Sequence, residues 1–339
     1  AAGALMAPIM SVHPYMGGKV VWTAFVVVIV GGAGNIKGTI WAALLFGFLT
    51  TVITTWLDGT IAELVNAMVM LLLLAAIGGA FIATPGWPGV GNLALLLVTG
   101  GLAAAGASAI NQYLERDLDA RMERTRCRPL ASDSQARAAW VPYLGALMII
   151  LPALAVLRYR SALAIFVVLG AIIYIGIYTL WLKRRTPLNI VIGGAAGSAA
   201  VLCGSAATGA WNDSGALLLA LLVFLWTPTH FWSLAIAYRD DYARGGFPML
   251  PVQTTPRRAA WWVLLHTSGA ALTALALGMH PALGWLYLVP VALAIVGLMA
   301  LNVRLIIEPK RTRALALFHA SNVYLVVVLL AACANTLVS

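Results

Sequence analysis

The sequence predicts an all-α, polytopic membrane protein, and three observations predict it. Of 339 residues, 62% are hydrophobic and 9% are charged, whereas a soluble domain carries roughly 25% charged residues. The apolar residues form blocks of about 20, the length needed to cross a bilayer as a helix. The charges collect in short loops between those blocks, and mostly in every second loop.

Nine spans are expected from residue 64 onward: 64–83, 91–110, 138–157, 161–180, 188–209, 215–236, 259–279, 282–303 and 317–337. Residues 1–63 add one or two further apolar segments, a run at 20–30 and a helix near 39–57, joined through Gly31-Gly32-Ala33-Gly34-Asn35. That glycine-rich turn lacks the Lys-Ser/Thr ending and flanking strand of a phosphate loop, so it reads as a tight turn between membrane segments. Two units follow, 1–63 and 64–339. The chain starts at Ala1 without Met or an evident cleavable signal, so a trimmed start or a fragment is expected. Three cysteines (Cys127, Cys203, Cys333) are too widely spaced for a disulfide framework or a zinc pattern.

The loops orient the bundle. Those after the second, fourth, sixth and eighth spans hold 17 of the 21 basic residues. They are Arg116, Arg121, Arg124, Arg126, Arg128, Arg137, Lys183, Arg184, Arg185, Arg239, Arg244, Arg257, Arg258, Arg304, Lys310, Arg311 and Arg313. A Lys/Arg bias of this kind marks the cytoplasmic side. It also accounts for the net charge of +10 without a nucleic-acid partner. Eight of the 11 acids lie on the same side, which the positive-inside rule does not require. They point to a site.

Asn111, Glu115 and Asp119 recur every fourth residue and would share one helical face. Acids at a membrane helix end are costly unless they hold something positive. A magnesium ion carrying a diphosphate satisfies both these acids and the neighbouring arginines, because a hard ion needs one or two carboxylates plus phosphate oxygens. Arginine forks such as Arg124 and Arg128 suit those oxygens. Internal salt bridges on a solvated helix are the alternative. Lys183-Arg184-Arg185 beside Trp181 reads on its own as an interfacial anchor, and as a diphosphate clamp only in the company of the other basic loops. In the third basic loop Asp240 and Asp241 follow Arg239. Upstream of them His230 lies at membrane depth two residues after Pro228, either as a functional group or bonded to a neighbouring helix.

These residues sit in segments that resemble the UbiA superfamily of intramembrane prenyltransferases, and within it the heme-farnesylating branch. The matching segments are 111–119 with Glu123-Arg124-Thr125 and Arg128-Pro129-Leu130, then Tyr178-Thr179 with Leu182-Lys183-Arg184 and 186–194. Trp226-Thr227-Pro228 with His230-Phe231-Trp232, Asp240-Asp241-Tyr242, Pro248-Met249-Leu250-Pro251 and 317–325 complete the set. The resemblance implies a nine-helix UbiA-type bundle that transfers a farnesyl group from farnesyl diphosphate to a vinyl group of heme b, giving heme O. It further implies that Asn111, Glu115, Asp119, Asp240 and Asp241 organise Mg2+ and that Arg124, Arg128, Lys183, Arg184 and Arg239 hold the diphosphate. His230 would lie near the porphyrin, as ligand or general base. Heme A synthase or cytochrome oxidase assembly factors would be downstream partners. The family usually has Asp at Glu115 and Pro at Thr229, and a Lys-Pro-Arg-like stretch where 61–66 stands. Residues 1–63 resemble the C-terminal end of branched-chain amino-acid ABC transporter permeases, through 29–38, which suggests a fused or misjoined frame. A UbiA-type enzyme with an aromatic acceptor and a transporter subunit are the rival readings.

Overall fold

The structure is a computed structural model that describes residues 59–84, 86–120, 130 and 139–338, with side chains described from Leu71 onward. The permease-like segment, its glycine turn, and the candidates Arg124 and Arg128 lie outside the described residues. The unit boundary expected at 63/64 falls inside the first described helix, Gly59–Ile82.

Among the described residues the fold is helical throughout. Helix α1 covers Gly59–Ile82, α2 Val90–Asp119, α3 Val141–Leu157 and α4 Ser161–Ala171. Without a break α4 becomes a π-helical segment, Ile172–Leu182. Then come α5 (Asn189–Gly193), α6 (Ala195–Thr208), α7 (Ser214–Ala237), the short α8 (Arg239–Arg244) and α9 (Leu250–Gln253), α10 (Pro256–Leu277), α11 (Trp285–Ile307) and α12 (Arg311–Val338). Seven of these spans, counting α4 with its π segment and α5 with α6, are long and apolar enough to cross a membrane. Two shorter apolar helices, Leu71–Ile82 and Val141–Leu157, accompany them. The nine expected spans are therefore all helical, with one informative shift. Hydropathy ends α2 at 110, whereas the helix runs on to Asp119.

Local chemistry sets the helix ends. The Asp213 carboxylate caps α7 by accepting from the Ala216 N–H at 2.8 Å, and the Thr255 hydroxyl caps α10 ahead of Pro256, which needs no N–H partner there. Gly209 ends α6 in the left-handed region, φ 91°, where a side chain would be strained.

Packing among the helices relies on small residues rather than on water exclusion, since lipid is as apolar as leucine. A Cβ on Gly204 would lie 1.7 Å from the Ala76 carbonyl oxygen, so α1 and α6 meet backbone to backbone. Gly106 and Gly145 do the same for α2 and α3, each Cβ position lying within 2.7 Å of the other's carbonyl oxygen. The outer surface is apolar, with Leu293, Val296 and Leu272 about two-thirds exposed. Polar burial is concentrated inside the bundle, where Asn111, Glu115, Asp119, Asn189, Thr229, His230 and Asp241 are all nearly inaccessible.

Candidate functional site

The extension of α2 decides where the first acidic cluster goes. Because the helix continues past residue 110, Asn111, Glu115 and Asp119 occupy successive turns of one buried face, while Asp117 points outward. The four-residue spacing read from the sequence is therefore real on the backbone.

The π segment supplies the matching surface. Asn111 Nδ2 donates to Thr179 Oγ1 at 2.9 Å, and Thr179 in turn donates to the Tyr174 carbonyl five residues back. One turn on, Lys183 Nζ sits 2.6 Å from both carboxylate oxygens of Glu115. Two pairs spaced by four residues, 111/115 and 179/183, thus face each other in register. The Lys183 N–H bonds to the Tyr178 carbonyl in the i→i−5 pattern. Such widened turns often occur at functional sites, and here one sets both contact residues against α2.

Lys183 also ties the two acidic loops together. Its ammonium lies 5.1 Å from the Phe247 ring centroid and 5.4 Å from that of Tyr178, within cation–π range. Phe247 packs edge-on to Tyr242, the residue after Asp241. Asp241 is buried and receives Arg244 Nη2 at 3.4 Å, whereas Asp240 is exposed. Arg239 is exposed and anchors this segment by donating from Nε to the Pro251 carbonyl at 2.7 Å. Arg184 is exposed as well. Of the expected site residues, then, Asn111, Glu115 and Lys183 touch or bridge, with Asp119 on their face and Asp241 beside their loop. Asp240, Arg184 and Arg239 line the outer side of that end.

His230 lies elsewhere. Seven residues before the end of α7, it is about 10 Å deeper in the bundle at 1.5 Å per residue. Its ring stacks on Trp226 (4.7 Å) and tilts over Phe318 (4.4 Å). Nδ1 is 3.2 Å from Ser321 Oγ, whose hydroxyl hydrogen is used on the Phe318 carbonyl at 2.7 Å. The network therefore assigns the proton to Nδ1, with Ser321 accepting. That leaves the Nε2 lone pair without a partner among the described residues.

Sequence reasoning passed over Thr179 and Asn189 as site residues. Asn189 is fully buried, and its Oδ1 has no hydrogen-bond partner among the described residues. The signal for Thr179 was available in its four-residue offset from Lys183, which repeats that of Asn111 from Glu115.

The donor set suits a hard cation. Asn111, Glu115, Asp119 and Asp241 offer only oxygen ligands at one end of the bundle, and magnesium takes oxygen ligands. Among the described residues no three His, Cys, Asp or Glu side chains converge. An ion that draws on one or two carboxylates and on substrate phosphates does not need them to.

Fold and site together define an integral membrane protein whose cluster of buried acids, with a lysine among them, closes one end of an apolar helical bundle. Residues 71–332 match the UbiA prenyltransferase family. The chain belongs to that family. It is 43% identical over 260 residues to protoheme IX farnesyltransferase 2 of Paramagnetospirillum magneticum, covering 76% of this chain and 90% of that one. In fold it is similar to the solved structure of a digeranylgeranylglyceryl phosphate synthase, with a TM-score of 0.68 and 17% identity over 79% of this chain and 94% of that one. A UbiA homolog from Archaeoglobus fulgidus, solved bound to GPP and Mg2+, gives a TM-score of 0.52 at 14% identity, covering 77% of this chain and 94% of that one.

Proposed function

We propose that this chain transfers a farnesyl group from farnesyl diphosphate to a vinyl group of heme b, giving heme O and diphosphate. Relatives such as the Paramagnetospirillum magneticum enzyme, 43% identical over nearly its full length, carry the reading of the acceptor. They do not favour an aromatic acceptor or a transporter subunit. The paired arrangement of Asn111–Thr179 and Glu115–Lys183 supports the assignment of the diphosphate end.

In this reading Asn111, Glu115, Asp119 and Asp241 hold the magnesium diphosphate, with Asp240 at the rim. When bound, the ion neutralises the negative charge that builds on the leaving diphosphate. Lys183 releases Glu115 and turns to a phosphate oxygen, a short movement for a flexible four-carbon stem. Arg124, Arg128, Arg184 and Arg239 supply further guanidinium contacts. The carbon–oxygen bond at farnesyl C1 breaks with its electron pair leaving on diphosphate. The heme vinyl group then forms a bond to C1. Water adds to the resulting benzylic-type cation and loses a proton, completing the hydroxyethylfarnesyl group. His230, whose Nε2 has no hydrogen-bond partner among the described residues, would take that proton or bind the porphyrin iron. The apolar interior around it suits both an isoprenoid chain and a porphyrin face.

The polar end faces the cytoplasm of a bacterial inner membrane, in keeping with the bias of basic loops. The product would pass to heme A synthase or to oxidase assembly factors. The test is incubation of membranes containing the protein with heme b, farnesyl diphosphate and magnesium, followed by mass analysis of extracted heme. A mass gain of one hydrated farnesyl unit is expected. Unmodified heme alongside prenylation of an aromatic quinone precursor would reject the acceptor.

A further inference from the structure

The end of the bundle that carries the acids also carries a groove that the reaction does not use. It lies between the last turn of α11 and the first turns of α12, and encloses about 330 Å³ lined by Leu301, Arg304, Thr312, Arg313 and Ala316. The two helices run antiparallel, so their numbering fixes depth. Leu301 and Ala316 are the deeper pair, while Arg304, Thr312 and Arg313 are nearer the helix ends. The groove is therefore apolar toward the membrane interior and cationic at headgroup level.

Three observations say what would fill it. First, Arg304 is exposed and has no acidic partner among the described residues, although Arg313 and Lys310 both pair with Glu308. Its guanidinium is a fork available for phosphate oxygens. Second, the flanking residues Val303 (49% exposed) and Ile307 (65% exposed) are apolar and outward-facing, so the groove opens to lipid. Third, Gly297 lies one turn deeper on the same stripe of α11, at the position four before Leu301. Gly297 is exposed and a Cβ there would meet nothing within 4 Å, so the surface one turn below the groove is open to lipid.

We infer that this groove binds one anionic phospholipid of the same leaflet, its phosphate on Arg304 and Thr312 and one acyl chain along Leu301, Ala316 and Gly297. Basic pockets between membrane helices on the cytoplasmic side suit acidic headgroups in this way. The volume falls in the range of small-ligand sites. The neighbourhood gives occupancy a consequence. Arg311, one residue before Thr312, stacks over Tyr238 at 4.9 Å, and Tyr238 begins the loop that carries Arg239, Asp240 and Asp241. A bound lipid would brace the start of α12 against that loop.

Native mass spectrometry of the full-length protein in micelles tests this, with equimolar phosphatidylglycerol and phosphatidylcholine. Preferential retention of one phosphatidylglycerol is expected, and equal retention of both lipids overturns the inference without any variant. Arg304→Ala should weaken retention about tenfold, the loss of one charge-assisted contact. Arg158→Ala, an exposed cation at the opposite end, should leave retention unchanged, and an equal effect of both overturns specificity. Gly297→Leu should lower retention with the arginines intact, and no effect there overturns the acyl-chain path. Glycerol phosphate at millimolar concentration should fail to displace the lipid. Displacement by it would mean a free-phosphate site instead.

Discussion

Replacing Lys183 with Met separates what holds the site together from what the site does. Its ammonium is bonded to both oxygens of Glu115, and the two side chains are 15% and 4% exposed. Removing one partner leaves a buried carboxylate uncompensated, which costs about 3–5 kcal/mol. For a domain of this size that corresponds to a fall in melting temperature of roughly 10 °C. Lys183→Met combined with Glu115→Gln removes both charges at similar volume, and such replacements of a buried pair are often near neutral. The double variant should therefore recover most of the lost stability while remaining inactive, because neither the carboxylate nor the ammonium is left for the magnesium diphosphate. The assay is thermal loss of monodisperse protein in detergent, read beside product formation. A double variant as unstable as Lys183→Met would show that the pair is not what stabilises this end. A double variant with normal turnover would remove both residues from the reaction.

Asp119→Ala should abolish product while leaving the protein in the membrane; retained activity with an unchanged magnesium requirement would defeat its role as an ion ligand. Arg128→Ala should weaken farnesyl diphosphate binding more than heme binding, since guanidinium groups grip phosphate oxygens, and equal loss of both would make its role structural. Gly204→Ala would force a methyl group against the Ala76 carbonyl, at a cost of about 1–3 kcal/mol for overpacking, read as reduced thermal stability. At Glu308 a hydrogen bond from Lys310, aided by the nearby charges of Arg313 and Lys310, holds the carboxyl below its usual range. A depressed folded value contributes stability above the unfolded value and loses it as pH falls through the folded one. The stability gap between wild type and Glu308→Gln should thus be present at pH 7, begin to shrink as pH falls to the ordinary glutamate range of about 4.3, and be gone only below the lower folded value.

Much of this was legible in the sequence because membrane helices announce themselves by length and composition. Nine apolar blocks and the alternation of basic loops are properties of single segments, and they need no tertiary information. The every-fourth-residue spacing of Asn111, Glu115 and Asp119 is equally local. What hid was the helix end and the partner. Hydropathy stops α2 near residue 110, because polar side chains look like a loop, yet the backbone stays helical to Asp119 with the polar face turned inward. The direct Glu115–Lys183 pair joins residues 68 apart in sequence, and the π-helical turns that bring it into register have no composition signature. Asp240 and Asp241 look equivalent as neighbours, but helical geometry buries one and exposes the other.

We propose that carboxylates from α2 and α8 share one ion carried in with the prenyl diphosphate. Manganese is a paramagnetic stand-in for magnesium, so its electron paramagnetic resonance signal in the presence of a non-hydrolysable farnesyl diphosphate analogue reports that ion directly. One bound ion is expected that depends on the analogue and is weakened separately by Asp119→Asn and by Asp241→Asn. Ion binding untouched by either substitution, or lost with one and indifferent to the other, would contradict it.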